Sequence, residues 1–188
     1  MRKNRKTTRG FTIGEVVLSI GVLVVGILPI FAAMNGGLKA TMKARDIVIA
    51  SGLAQEGVEL VKNVKDNRTL IGQSPTTWLP NGAGPWNNCR IDSADAVLTP
   101  GSGSRITCGA TYDLAPSAST GLFAHTGSTG RFKRRMLLSY DTTTGVIDCV
   151  SAAYWGTYAG PSSIADARSN CVLSRSCVYT EAKLASWE

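Results

Sequence analysis

Histidine occurs once in the 188 residues, at His125, inside a stretch of Gly, Ser and Thr. A His-built metal cluster or a His-based triad therefore has almost no material. There is no H-E-x-x-H, no P-loop and no C-x-x-C, and Gly101-Ser102-Gly103 is not followed by the helix that phosphate binding needs. Asp92 and Asp95 are too few for a calcium loop. These absences nominate no catalytic residue, no metal and no cofactor, so the chain is expected not to be an enzyme. Cysteine is missing from the first 88 residues, and Asp, Glu, Lys and Arg are all missing from Val16 to Met34.

The net charge of +7 suggests a nucleic-acid binder only until it is located. Arg2, Lys3, Arg5, Lys6 and Arg9 supply five of those charges, with no acid among the first ten residues, which leaves +2 for the rest. A basic leader of this kind reports membrane topology and not a ligand. Arg131-Phe132-Lys133-Arg134-Arg135 is the one basic run further on; it reads as a solvated strand edge with gatekeeper charges. Nucleic acid is not an expected partner.

The uncharged run of Val16 to Met34 is 19 residues long, a rise of about 28 Å as a helix, close to the thickness of a bilayer's hydrocarbon core. A secretory signal peptide fits poorly: its apolar stretch is about 7–15 residues, and the small-x-small cleavage pattern fails at Phe31 and Ile30. A plain signal anchor explains the length, with the basic leader cytoplasmic and the carboxyl-terminal part outside. It does not explain Glu15, a carboxylate placed at the edge of the apolar run. A cut after Gly10 would free an α-amine on Phe11, four residues from Glu15 on the same helical face, and that ammonium can pair with the carboxylate.

Gly10-Phe11-Thr12-x-x-Glu15, between a short basic leader and an apolar helix, resembles the prepilin-type cleavage and methylation motif. The resemblance implies that a prepilin peptidase cuts between Gly10 and Phe11 and methylates the amine of Phe11. It further implies that Glu15 guides subunit docking, and that Pro29 lies where the helix of this family bends or melts during assembly. Gly14 departs from the pattern, which usually has an apolar residue there; a looser helix start is expected. Val58 to Asn67 is similar to the helix end of a minor-pilin subgroup. The resemblance covers about a third of the chain.

Beyond Gly36-Gly37 the pattern turns amphipathic. Leu38, Met42, Ile49, Leu53, Leu60 and Val64 form one stripe, flanked by the small residues Ala50, Ala54, Gly57 and Val61. The expected helix runs from Phe11 to Asn67. Residues 69–130 read as loop-dominated, with Pro75, Pro80, Pro85, Pro100 and Pro116 and one short strand over Arg105 to Tyr112. Phe132 to Tyr140, the turn Asp141-Thr142-Thr143-Thr144-Gly145 and Val146 to Tyr154 form a hairpin. Cys177 to Trp187 supplies a third strand, after a long connection over residues 156–176. The fold class is thus α+β: a long amino-terminal transmembrane and amphipathic helix packed on a small antiparallel sheet, as in pilins. The expected organisation is a cleaved leader over 1–10, a membrane and assembly segment over 11–35, an amphipathic segment over 36–68, and an exported, loop-rich β domain over 69–188.

Cys89, Cys108, Cys149, Cys171 and Cys177 suit an oxidising location and form two bridges with one thiol left over. The first bridge expected is Cys89–Cys108. The second joins Cys149 to Cys171 or Cys177; its rival is a local Cys171–Cys177 loop with Cys149 buried and reduced. The resemblance implies a structural subunit, minor rather than shaft-forming, of a type IV pilus or secretion pseudopilus. Its partners would be the prepilin peptidase, other pilin subunits through the amino-terminal helix, and membrane lipid before assembly. Its location would be the cytoplasmic membrane as a single-pass protein with the carboxyl-terminal domain outside, and then an extracellular pilus or periplasmic pseudopilus. The alternatives are a single-pass anchored surface domain that never polymerises, and an adhesive or DNA-binding tip subunit.

Overall fold

The computed structural model describes residues 10, 12–79, 84–92, 106–109, 112–116, 122–125 and 130–185. Phe11, Asp95, the Gly101–Gly103 run, Arg105 and the expected strand end at Trp187 lie outside them. The chain divides into two units, Met1–Arg45 and Asp46–Glu188, and one helix, α1 (Ile13–Leu70, 58 residues), runs through the boundary.

In the first unit every residue from Ile13 to Arg45 is exposed. Among the described residues nothing packs on the helix here, and its run from Val16 to Met34 carries no charge: it is long and apolar enough to cross a membrane. Helix is the backbone form that satisfies its own hydrogen bonds where no water does. α1 continues unbroken through Pro29 and through Gly36-Gly37, although Pro29 cannot donate a backbone bond.

In the second unit α1 buries Asp46, Ala50, Leu53, Ala54, Gly57, Val58, Val61, Val64, Lys65 and Arg68, a stripe that recurs every three or four residues and is widened by adjacent pairs at 53/54, 57/58 and 64/65. The contact seam is therefore centred on the small residues expected only to flank it. Leu38 and Met42 are exposed, and Ile49 and Leu60 lie at the margin. The reason is the closeness of the sheet: a Cβ on Gly57 would fall 2.3 Å from Ser151 Oγ and 2.9 Å from Met136 Sδ. Each fully buried Val or Leu of the seam contributes about 1.5–3 kcal/mol. The helix ends at Leu70, three residues past the expected Asn67.

Residues 69–130 hold more regular structure than expected: a single turn of helix α2 (Pro75–Trp78), then β1 (Trp86–Arg90), β2 (Thr107–Cys108), β3 (Asp113–Pro116) and β4 (Phe123–Ala124). The strand expected over Arg105 to Tyr112 is only the two residues of β2 among those described. β5 (Phe132–Asp141) and β6 (Val146–Trp155) form the expected hairpin, paired along their whole length. The connection after it carries α3 (Ile164–Asn170) and a 3-10 turn (Leu173–Arg175), and β7 (Cys177–Ala185) closes the sheet against β6.

β5 is the centre of this antiparallel sheet. One of its edges is covered by β6; the other is shared end to end, by β1 alongside Met136 and Leu138 and by β3 alongside Phe132 and Lys133. β2 lies outside β1, and β4 outside β3. Side-chain alternation then makes two layers. Phe132, Met136, Leu138, Ile147, Cys149, Ala153 and Leu184 belong to the clusters that include the α1 seam. Leu137, Val150, Ala152 and Tyr154 face the other way, onto Ala167 of α3 and the Cys171–Cys177 pair. The coarse expectation of α+β, with a long helix and an antiparallel sheet, is met.

Candidate functional site

Two features carry the chemistry: the start of α1 and a set of charges enclosed where α1 meets the sheet. Thr12 precedes the helix and caps it. Its carbonyl accepts from the backbone N–H of Glu15 at 3.0 Å and of Val16 at 3.2 Å, and its Oγ1 lies 3.4 Å from the same Glu15 N–H. Glu15 thus sits in the first turn, where a negative charge complements the helix dipole. It is exposed, and no side-chain partner meets its carboxylate among the described residues. Gly10 is exposed, and a Cβ there would meet nothing within 4 Å; Phe11, the expected methylated residue, is outside the described residues. Pro29 lies within the exposed apolar run.

The disulfide framework is partly as expected. Cys89 and Cys108 are cross-strand partners on β1 and β2 and are bridged. The expected bridge from Cys149 to Cys171 or Cys177 is not formed: Cys171 pairs with Cys177 across six residues, and Cys149 is a buried thiol. The reason is alternation. Cys149 points to the α1 side of β6, among Val61, Leu138 and Leu184, whereas Cys171 and Cys177 belong to the opposite layer with Ala152 and Tyr154. Burial pushes the Cys149 thiol up to about 12, so it is an inert core residue.

The basic run does not lie at the solvated strand edge expected of it, and the structure corrects this reading. β5 is internal, and Arg134 is fully buried. Its guanidinium donates to the carbonyl of Ile91 at 2.6 Å and to that of Leu53 at 3.3 Å. It also pairs with Glu56 of α1 at 3.2 Å and lies 3.9 Å from Asp92. Burial lowers its pKa, opposed by the carboxylates of Glu56 and Asp92. Arg131 pairs with Asp46 at 2.5 Å and Lys133 with Asp113 at 3.5 Å. Arg135 lies over the Tyr112 ring at 4.3 Å and donates to the Pro161 carbonyl at 2.6 Å.

Asp92 and His125, which carry no regular pattern around them in the sequence, close the same assembly. Asp92 follows β1 and His125 follows β4; Asp92 Oδ1 is 2.5 Å from His125 Nδ1, and the carboxylate also accepts from the His125 backbone N–H. Burial raises the Asp92 pKa, but the hydrogen bonds and charge of His125 and the charge of Arg134 outweigh it, and the net direction is down. No local signal marks this pair, since 33 residues separate its members.

A groove of about 430 Å³ runs between Val58, Lys62 and Lys65 of α1 and Ala182 to Ala185 of β7. Its charges are matched: Lys62 with Glu59, Lys65 with Asp66 and Lys183 with Asp148. Among the described residues, no group of three or more His, Cys, Asp or Glu could hold a metal ion. Comparison with protein families, with curated proteins and with solved structures finds no match.

Proposed function

We propose that the chain is a structural subunit of a type IV pilus or related secretion pseudopilus, processed by a prepilin peptidase and polymerised through its amino-terminal helix. The observation that carries the reading is α1 itself. A single helix begins at a carboxylate, presents an exposed apolar run from Val16 to Met34, and then docks its last turns on an antiparallel sheet. An apolar run that no described residue of its own chain covers calls for lipid or other copies of itself around it. In the membrane it spans, with the β domain outside; in a filament it is buried among its neighbours. Two disulfides in the β domain suit that exported side. The chain acts by assembly and not by catalysis.

The basic run on β5 is the one hint of a DNA-binding or adhesive tip. All four of its charges are engaged by groups of the chain itself, Arg131 by Asp46, Lys133 by Asp113, Arg134 by Glu56 and Arg135 by the Tyr112 ring, and Arg134 is fully buried, which favours the structural reading. Within that reading the chain is a minor subunit: the segments between β1 and β5 are long for a domain of this size, which suits an accessory position better than a contact repeated along a shaft.

The test is mass spectrometry of the amino terminus in purified filaments. The expected product begins at methylated Phe11, and Gly10→Val leaves full-length precursor in the membrane. An uncut Gly10–Phe11 bond in mature protein overturns the reading in favour of a plain anchored surface domain. Recovery of the chain as the most abundant filament protein overturns the minor-subunit assignment.

A further inference from the structure

Past its apolar run, α1 changes character while still exposed. Leu38 and Met42 are exposed there, and so are Lys39, Lys43 and Arg45 among them. Between Glu15 and Asp46 the chain has no acid, and these three cations are the only charges in that interval. Their side chains make no ion pair or hydrogen bond among the described residues. Asp46, the first acid after them, is already held by Arg131.

Three features favour one kind of partner. The first is height. A hydrocarbon core about 30 Å deep takes about 20 helical residues, so one that begins at Val16 ends near Asn35. Lys39, Lys43 and Arg45 then stand roughly 6 Å, 12 Å and 15 Å above it, at and just over a headgroup layer about 5–8 Å deep. The second is direction. Side chains of a helix lean toward its amino terminus, which here is the membrane, so these long cationic arms reach back down to the phosphates. The third is spread. Lys39 and Lys43 lie about 40° apart around the helix axis, and Arg45 lies about 160° from Lys43. A protein partner touches one face of a helix, whereas a headgroup layer surrounds it. Leu38 and Met42, interleaved with the cations, fit the same boundary between apolar and charged surroundings.

We propose that Lys39, Lys43 and Arg45 form a collar that binds the phosphodiester headgroups of anionic lipid on the outer side of the membrane. The proposal rests on the reading that α1 spans, and adds a lipid class to it: headgroups with a net negative charge in preference to zwitterionic ones. The collar fixes the depth at which the subunit waits in the bilayer before its helix leaves for a filament.

Amine acylation of the full chain in nanodiscs, one chain per disc, tests this. The discs hold phosphatidylcholine alone, or phosphatidylcholine and phosphatidylglycerol in equal parts, and each lysine is read by peptide mass spectrometry. Lys39 and Lys43 should react about five-fold more slowly in the anionic discs, and salt at about 1 M should remove the difference. Lys62 and Lys183, exposed in the second unit, should react alike in both lipids. The triple variant Lys39→Gln, Lys43→Gln, Arg45→Gln should enter discs as the wild type does and retain fewer phosphatidylglycerol molecules by native mass spectrometry. The leader cations are common to both chains, so that difference belongs to the collar. Equal acylation of Lys39 and Lys43 in the two lipids, a slowing shared by Lys62 and Lys183, or unchanged lipid retention in the variant overturns the collar while the span stands. Protection that appears only with two chains in one disc, whatever the lipid, gives the cations to a second copy and overturns it equally. Failure of the chain to enter either disc overturns the spanning reading and the collar together.

Discussion

Gly57 sets how closely α1 lies on the sheet, and Gly57→Ala separates packing from helix propensity because the two have opposite signs. In an exposed helix interior Ala is better than Gly by about 0.8–1 kcal/mol. Here the added methyl would fall 2.3 Å from Ser151 Oγ, 2.9 Å from Met136 Sδ and 3.1 Å from Arg134 Cδ. Overpacking of this kind costs about 1–3 kcal/mol. The nearest obstacle is a rigid one-atom hydroxyl on an internal strand, so the upper half of that range applies, and the net expectation is a loss of about 1–2 kcal/mol. For a protein of this size that lowers the melting temperature by about 2–8 °C. The obstacle can also be removed. Ser151 Oγ is buried and makes no hydrogen bond among the described residues, so Ser151→Ala alone should be nearly neutral. In the double variant the methyl added at position 57 should regain about 1 kcal/mol or more, a coupling read from a double-mutant cycle by thermal unfolding of the full chain in detergent. If Gly57→Ala stabilises the protein, or if the two changes are additive, the close approach is not what the glycine provides.

Arg134→Met should cost about 3–5 kcal/mol by thermal unfolding, because it removes the cation paired with Glu56 and the donor to the carbonyls of Leu53 and Ile91. Arg134→Lys should recover little of this, since one ammonium cannot span the carbonyls of Leu53 and Ile91; full recovery would show that only the charge matters. Cys149, with its pKa pushed up to about 12, should resist iodoacetamide at pH 8 in the folded chain and take one label per chain in denaturant without reductant. Rapid labelling of the folded chain, or no label after unfolding, would contradict the assigned thiol. Glu15→Ala should leave a stable, membrane-inserted protein that enters filaments poorly, measured as the ratio of filament to membrane protein; normal incorporation would remove its docking role.

The elements legible in the sequence were those whose signal is local. The β5–β6 hairpin follows from alternation on both sides of Asp141-Thr142-Thr143-Thr144-Gly145, whose Asp141 accepts from the Thr143 N–H and the Thr144 hydroxyl. The span follows from nineteen residues without a charge. β1, β3 and β4 were not legible, and β2 only as part of a longer expected strand, because strands of two to five residues are too short to show a period. Arg134 is instructive. It lies in step with the buried Phe132, Met136 and Leu138, yet its charge suggests solvent. Which effect wins depends on the carbonyls of Leu53 and Ile91 and on Glu56, and none of these is near it in sequence. The helix seam has a related cause: large side chains suggest a contact face, and Leu53 and Val64 are buried on it, but the sheet comes closest at Gly57, where no side chain fits.

The shared edge of β5 also dictates an order of events. β1 and β3 do not pair with each other; each has a two-residue partner strand of its own, β2 and β4, and joins the main sheet only through β5. In a chain made or exported from its amino terminus, β1 to β4 must therefore stay outside the main sheet until residues 132–141 have emerged. The small-residue seam of α1 must wait with it, because the surface it packs on is built from β5, β6 and β7. The hairpin of β5 and β6, closed by the short turn between Asp141 and Val146, is the cheapest long pairing to form, and it then recruits segments on both sides. Folding thus runs backwards along the chain from its last third, and until that third appears the amphipathic half of α1 is an aggregation hazard that has to be kept apart from other copies.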